Sequence, residues 1–203
     1  MGKNIYLIRH GQTDFNLQGI VQGGRVDTDL NKTGRAQARQ FYNHYKHIPF
    51  DKVYTSTLKR SQQSVQLFID QSIDHEAFAG LNEISWGDMD GKIASDEASN
   101  VYWDMVNSWA AGDVDAKIDT GESPKEVQKR IIPVLTTIAS RSSEKNILIC
   151  MHGRAMRILL TTLLAKPLKA MDEFEHNNLC LYLLHYENNE YTLVKGNDTS
   201  HLF

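Results

Sequence analysis

The sequence is poor in cysteine and has no long apolar run. It has two cysteines among 203 residues, and no apolar stretch reaches the length needed to cross a membrane. Hydrophobic residues make up 41% and charged residues 23%, as in an ordinary soluble protein. These values exclude a membrane-spanning protein and a disordered chain, and the length is enough for one hydrophobic core.

An excess of basic residues is also absent. Lysine and arginine together number 22 against 25 aspartates and glutamates, which gives a net charge of -3. Proteins that bind nucleic acid through a broad basic surface have the opposite balance, so we expect no nucleic-acid partner. A site for an anion must therefore be local.

The amino terminus lacks the features of a secretory signal. Met1–Asn4 precede a four-residue apolar stretch that has neither the length nor the charge layout of a signal peptide. Cys150 and Cys180 both lie inside apolar runs. We therefore expect a cytoplasmic protein with two buried free thiols and no membrane partner.

Short apolar runs alternate with helical patterns along the chain. The runs Ile5–Ile8, Val53–Tyr54 and Ile147–Met151 are predicted to be buried strands, because each is too short for a helix. Thr33 is predicted to cap the helix that follows the first strand. A terminal hairpin is predicted around the turn residues Glu187–Asn189.

One helix start is marked more clearly than the others. Ser123 and Glu126 have the spacing of a capping box, and Pro124 stands at the first helical position. Alternating strands and helices predict an α/β fold: a three-layer α/β/α sandwich with a mostly parallel central sheet and an antiparallel edge. We expect one domain, residues 1–203, without linkers or repeats.

Residues 84–122 differ in composition from the rest of the chain. They hold all three tryptophans, which we predict to serve in packing, and have a net charge of -7. This segment is predicted to form a lid-like excursion over the sheet. Its charge would repel polyanions.

Two of the predicted strands end in the same pair of residues. Ile5–Ile8 leads to Arg9 and His10, and Ile147–Met151 leads to His152, with a glycine after each histidine. The carboxyl ends of parallel strands meet at one rim of a sheet, where ligands bind. A single histidine there is more often structural, but the repetition favours a functional pair. The third strand leads to Arg60, so the sequence predicts a pocket with two histidines and two arginines.

A metal site is the alternative for paired histidines. His44 and His47 lie three residues apart and could share a metal, but histidine is also favoured at a helix C-terminus. Neither His10 nor His152 has a carboxylate beside it at ligand spacing. We therefore predict no metal site.

The segment Arg9-His10-Gly11-Gln12-Thr13, followed by Asn16, resembles the signature of the histidine phosphatase superfamily, in its phosphoglycerate-mutase-like branch. The resemblance covers nearly the whole chain in the same order. Its further blocks are Gln22-Gly23 with Asp27, Leu30 and Gly34; Ser56–Ser61; Leu81-Asn82-Glu83 with Gly87 and Gly91; Gly121-Glu122-Ser123; and Met151-His152-Gly153.

Two positions depart from the family pattern. Met151 replaces a frequent serine, and Arg154 stands where a small residue is common. The resemblance assigns no role to the added cation.

The resemblance implies a phosphoglycerate-mutase-like fold and a set of catalytic residues. His10 would attack phosphorus as a neutral imidazole, and water would hydrolyse the phosphohistidine. Glu83 would protonate the leaving alkoxide and later take a proton from water. His152 would join Arg9 and Arg60 in neutralising the phosphoryl oxygens.

Two polar residues and the absence of cofactors complete the implied site. Asn16 and Gln22 would contact the phosphoryl group or its surroundings. Fixed cations would replace a metal, so no metal and no cofactor are expected.

The expected function is metal-independent hydrolysis of a small phosphorylated metabolite. Mutases of the family are longer, which favours a phosphatase, but phosphoglycerate mutase-type transfer stays an alternative. A non-catalytic phosphate-binding module is a second alternative, although relatives of that kind are expected to lack His10 or Glu83. The sequence does not name the leaving group, and a homodimer is left open.

Overall fold

The computed structural model describes residues 2–93 and 96–203, with the backbone alone described for residues 96–99. Its strands are β1 Lys3–Arg9, β2 Lys52–Thr55, β3 His75–Ala77, β4 Asn146–Met151, β5 Leu181–Glu187 and β6 Glu190–Asp198. Its α-helices are α1 Asp14–Gln18, α2 Lys32–Tyr45, α3 Lys59–Ile69, α4 Asp96–Ala111, α5 Pro124–Ser140 and α6 Gly153–Leu163.

The strands of the described chain form a six-stranded sheet in the order β3-β2-β4-β1-β5-β6. The pairs β1–β4, β2–β4 and β2–β3 are parallel, whereas β5 is antiparallel to both β1 and β6. This confirms the predicted mostly parallel sheet with an antiparallel edge. It also places the carboxyl ends of β1, β2 and β4 at one rim.

Helices cover both faces of the sheet because neighbouring strand residues point in opposite directions. In β4, Ile147 and Ile149 pack in a core with α5 and α6, while Leu148 and Cys150 pack with α2 and α3. All four side chains are almost completely buried, and each of the isoleucines and the leucine contributes about 1.5–3 kcal/mol to stability. The predicted three-layer sandwich is confirmed.

The predicted cap of α5 is confirmed and that of α2 is wrong. The Ser123 hydroxyl accepts from the backbone N–H of Glu126 (3.2 Å), and the Glu126 carboxylate accepts from that of Ser123 (2.9 Å). Helix α2 is capped by Asn31, whose amide oxygen accepts from Gly34 N (2.9 Å), and Thr33 lies inside its first turn. Asparagine caps at least as well as threonine and stands two residues earlier.

The terminal hairpin is confirmed, with a tighter turn than predicted. Glu187 belongs to β5, and the turn consists of Asn188 and Asn189, with φ of 53° and 66°. Asparagine tolerates this left-handed conformation, which a two-residue hairpin turn requires. Strand β3 was not predicted, because its three residues are too few to show a period.

Residues 84–122, which we call the acidic segment, contain α4 and a 3₁₀ turn at Gly87–Met89. Residues 94 and 95 of this segment lie outside the described residues. Packing is confirmed for Trp86 and Trp109, which are buried, whereas Trp103 is 58% exposed and packs edge-to-face on Tyr102. Cys150 and Cys180 are buried free thiols, as predicted. Among the described residues, no helix has the length and apolar character that a membrane crossing requires.

Candidate active site

The parallel pairing of β1 and β4 brings the two predicted histidines together. Arg9 pairs with Met151 in the register, so His10 and His152 follow at the same level. Their ring centroids are 5.1 Å apart, and both side chains are buried. The predicted meeting of two imidazoles at one rim is therefore confirmed.

The His10 ring has one nitrogen fixed by the backbone. Its Nδ1 lies 2.7 Å from the carbonyl oxygen of Gly11, which can only accept a hydrogen bond. Burial, with the charges of Arg60 and Arg9 nearby, holds the pKa of His10 well below its ordinary value of 6.5. The neutral ring therefore carries its proton on Nδ1, and Nε2 holds the free lone pair.

The chain after His10 packs closely against the start of α2. A Cβ on Gly11 would lie 2.7 Å from the carbonyl oxygen of Gly34, and a Cβ on Gly34 would lie 2.1 Å from that of Gln12. Gly11 N also donates to the Ser64 hydroxyl (2.9 Å). The two glycines thus permit a backbone contact that fixes the position of His10.

The two arginines are held by backbone carbonyls. Arg60 is fully buried; its Nη1 donates to Val26 O (2.6 Å), and burial lowers its pKa to about 10, so it stays charged near neutral pH. Arg9 donates from Nη1 to His176 O (2.9 Å). Its Nε is buried and has no partner in the described chain. An orphaned buried donor of this kind is suited to an anion's oxygen.

His152 is held on both sides of its ring. Arg60 Nε donates to its Nδ1 (3.2 Å), and its Nε2 lies 2.7 Å from the Ser56 hydroxyl. Burial, followed by the charge of Arg60, holds its pKa well below the ordinary value. The fixed positive charges beside the His10 ring are therefore those of Arg9 and Arg60, and His152 contributes a polar ring held between Arg60 and Ser56.

The Glu83 side chain packs against the N-terminus of α6, although Glu83 itself lies in a loop far earlier in the chain. Its carboxylate accepts from three backbone N–H groups, those of Ile84 (2.9 Å), Arg154 (3.1 Å) and Ala155 (2.8 Å). Side-chain nitrogens of Arg130 hold the preceding loop by donating to Asn82 O (2.9 Å) and Glu83 O (3.1 Å). The carboxylate is therefore fixed against the first turn of α6, directly after His152 in the chain, and Glu83 is 7% exposed.

Asn16 and Gln22 lie together at the wall of a cavity of about 180 Å³. The Asn16 amide donates to Gln22 Oε1 (3.3 Å), and the Thr13 hydroxyl donates to the same oxygen (2.9 Å). Of the predicted site residues, Arg9, Asn16, Gln22 and Glu83 line this cavity, whereas His10, Arg60 and His152 are buried behind its described wall. The cavity is lined by Arg9, Asn16, Ile20, Val21, Gln22, Glu83, Trp86, Tyr102, Gly153, Arg154 and His176.

Several lining residues were not predicted. His176 contacts Arg9 and lies just before β5, and burial lowers its pKa to about 3. An antiparallel β5 must begin where β1 ends, and that topology is the signal that points to His176. Trp86 and Tyr102 belong to the acidic segment, and no local sequence pattern predicts that their side chains line the cavity.

Among the side chains that the structure describes, residues 2–93 and 100–203, no three histidine, cysteine or acidic groups come close enough to hold a metal ion. The described site consists of imidazoles, guanidinium groups and one carboxylate. This set can bind an oxyanion, attack it with a neutral imidazole and exchange a proton.

Comparison with known proteins places these residues in context. The family model of the histidine phosphatase superfamily, branch 1, matches residues 5–199. Candidate phosphoserine phosphatase 2 of Hydrogenobacter thermophilus is 28% identical, over 98% of this chain and 97% of its own. A 2,3-bisphosphoglycerate-dependent phosphoglycerate mutase of Methylobacterium radiotolerans is 32% identical over 80% of each chain. The solved structure of Bacillus stearothermophilus YhfR covers 99% of this chain and 100% of its own with a TM-score of 0.88, at 24% identity.

Proposed function

Because the chain belongs to the histidine phosphatase superfamily, branch 1, we propose that it hydrolyses phosphomonoesters of small metabolites through a phosphohistidine on His10. The observation that carries the proposal is the hydrogen bond from His10 Nδ1 to the Gly11 carbonyl. It leaves Nε2 as the nucleophilic atom of a ring that stays neutral at physiological pH. No deprotonation step is then needed before attack.

Two fixed charges support binding of the phosphoryl group. Arg60 is fully buried and Arg9 is partly buried near the His10 ring, and their two charges match those of a phosphomonoester. The unpartnered Nε of Arg9 would gain an acceptor when the anion binds. A buried donor that lacks a partner costs about 1–3 kcal/mol, so that gain favours the bound state.

Glu83 supplies the proton in the proposed reaction. His10 Nε2 attacks phosphorus, the bond to the alcohol oxygen breaks, and Glu83 as carboxylic acid gives its proton to that oxygen. Water then attacks the phosphohistidine, Glu83 takes a proton from it, and phosphate leaves with His10 restored. General acid–base catalysis of this kind is worth roughly 10²- to 10⁴-fold.

The cavity favours hydrolysis of a small substrate over mutase-type transfer. Its volume of about 180 Å³ is below the roughly 300–1,000 Å³ usual for sites of drug-sized ligands. A mutase of this family must also admit a bisphosphate, and the segment 84–122 with its net charge of -7 would repel it. A small monophosphate is the better fit.

A turnover screen with trapping of the intermediate tests the proposal. Small phosphomonoesters are offered with EDTA present, and 3-phosphoglycerate is offered with and without a bisphosphate primer. We expect phosphate release that survives EDTA, and labelled phosphate on the His10 peptide after a quench that avoids acid. His10→Ala should abolish both, whereas His185→Ala, at the other end of the sheet, should abolish neither.

Three results would contradict the proposal. Label on a serine or aspartate would exclude His10 as the nucleophile. Activity lost to EDTA and restored by a divalent ion would exclude the metal-free reaction. Primer-dependent isomerisation of phosphoglycerate without net phosphate release would show a mutase.

A further inference from the structure

Arg154 is a cation in the cavity wall that the proposed reaction does not use. It lies at the start of α6, lines the cavity and is 5% exposed. Its guanidinium lies 5.3 Å from the Trp109 ring, and its Nη2 donates to the Tyr102 hydroxyl (3.3 Å). These contacts fix a positive charge beside the site.

The charge of Arg154 is only partly balanced. Its Nη1 donates to Asp172 Oδ1 (2.6 Å), and the same oxygen accepts from Nη1 of Arg157. One carboxylate is thus shared by two guanidinium groups, which leaves the group of three with a net positive charge. A buried cation without full compensation is unfavourable, so a further anion there would be stabilised.

The phosphoryl group does not account for this charge. Arg9 and Arg60 already match the two charges of a phosphomonoester, and neither contacts Asp172 in the described structure. Arg154 lies on the cavity wall with Tyr102 and belongs to α6, which carries neither Arg9 nor Arg60. Its charge is therefore available to another part of the substrate.

We propose that the alcohol part of the substrate carries a carboxylate, which Arg154 and Tyr102 bind; this rests on the phosphatase activity proposed above. Because a guanidinium only donates, the Tyr102 oxygen accepts from Arg154, and the Tyr102 O–H can donate to the carboxylate. A carboxylate matches a single surplus charge. A second phosphate is larger than a carboxylate and carries more negative charge. It would fit less well in a cavity of about 180 Å³ with a single surplus positive charge.

Pairs of substrates that differ in the carboxylate test this assignment. Phosphoserine is compared with phosphoethanolamine, and 3-phosphoglycerate with glycerol 3-phosphate, by kcat/KM. We expect the carboxylated member to be preferred roughly 10- to 100-fold, the range expected from charge-assisted hydrogen bonds. This comparison uses the unaltered protein, so it does not depend on how a variant folds.

Variants assign the preference to Arg154. Arg154→Met should reduce the ratio of the two kcat/KM values by roughly 10-fold or more, mainly through KM, and Arg154→Lys should retain part of it. Arg157→Met leaves Asp172 to Arg154 alone and so removes the surplus charge; it should lower the preference too, but less than Arg154→Met, because Arg154 and its contact with Tyr102 remain. The control is Lys129→Met, which removes an exposed cation of α5 and should leave the preference unchanged.

The outcomes separate the two proposals. If p-nitrophenyl phosphate and every other ester are inert, the phosphatase activity itself is wrong. If esters are hydrolysed without preference for the carboxylate, or a bisphosphate is preferred, the substrate assignment is overturned. If Arg154→Met lowers kcat/KM equally for both members of a pair, Arg154 only holds α4 and α6 together and the substrate assignment is overturned.

Discussion

The Nε2 of His152 lies 2.7 Å from the hydroxyl of Ser56, and this contact fixes the tautomer of the ring. Arg60 donates to Nδ1, so a neutral His152 must carry its proton on Nε2 and donate to Ser56. The Ser56 hydroxyl in turn lies 2.7 Å from that of Ser61, which donates to Leu58 O (2.9 Å). These consecutive hydrogen bonds hold the His152 ring in place, and the ring in turn accepts from Arg60 and holds its guanidinium.

Ser56→Ala should weaken substrate binding through Arg60. The change leaves the N–H of His152 buried without a partner, which costs about 1–3 kcal/mol. We expect lower stability in urea and a rise in KM for any phosphomonoester. Ser142→Ala, at an exposed position, is the control. A normal KM in Ser56→Ala would show that the ring needs no such support.

The meeting of His10 and His152 could be predicted from sequence because it depends on parallel strands alone. Each strand has a run of apolar residues that identifies it, and the rim follows from the topology. The neutral state of His152 could not be predicted, because it depends on burial and on the contact with Ser56 across the sheet. Tyr102 and Arg154 meet only through the packing of α4, which no local pattern specifies.

Gly34→Ala should destabilise the protein although Gly34 lies in a helix. In a free helix this change stabilises by roughly 0.5–1 kcal/mol. Here the new Cβ would lie 2.1 Å from the Gln12 carbonyl, and overpacking costs about 1–3 kcal/mol. We expect a lower free energy of unfolding, measured in urea. We also expect a reduced kcat, because the chain that carries His10 must shift. Thr33→Ala, next to it and exposed, should change neither; a stabilised Gly34→Ala would refute the close contact.

Stability should fall as the pH drops below about 6.5. The folded-state pKa values of His10 and His152 lie well below the ordinary 6.5, so in this range the unfolded chain binds more protons than the folded one. The stabilisation is therefore complete above the unfolded-state pKa and is lost as the pH falls towards the folded-state values. His10 and His152 should lower the free energy of unfolding by about 2–3 kcal/mol between about pH 7 and 5.5, and His176, whose pKa is about 3, should add about 1 kcal/mol to this loss.

Urea unfolding at both pH values measures this loss. His10→Asn removes one titrating group and should reduce the loss by about 1 kcal/mol. His185→Asn, which removes a histidine outside the site with a side chain that is 40% exposed, is measured alongside. Equal losses in His10→Asn and the unaltered protein would mean that His10 is not buried in its neutral form.

Glu83→Gln should reduce activity in proportion to how much the leaving group needs a proton. An alkyl alcohol leaves as a strongly basic alkoxide, so we expect a loss of roughly 10²- to 10⁴-fold on alkyl phosphates. Nitrophenolate leaves well without a proton, so transfer from p-nitrophenyl phosphate to His10 should suffer much less. Hydrolysis of the phosphohistidine, which needs the same carboxylate to activate water, would then limit turnover, and rapid mixing should show a burst of nitrophenol.

The backbone contacts of Glu83 define the controls for this experiment. In the variant, the amide nitrogen would face an N–H donor at one of the two positions that now accept from Ile84, Arg154 and Ala155. Stability in urea is therefore measured alongside, and Asp104→Asn serves as an exposed change of charge in the acidic segment. A structural loss would reduce turnover of both ester types alike, because it displaces the start of α6 whatever the leaving group. Equal losses without a burst would thus identify Glu83 as a positioning residue. Phosphoryl transfer to His10 that is slowed only for alkyl esters, together with a nitrophenol burst followed by slow turnover of the aryl ester, requires proton transfer by the Glu83 carboxyl group.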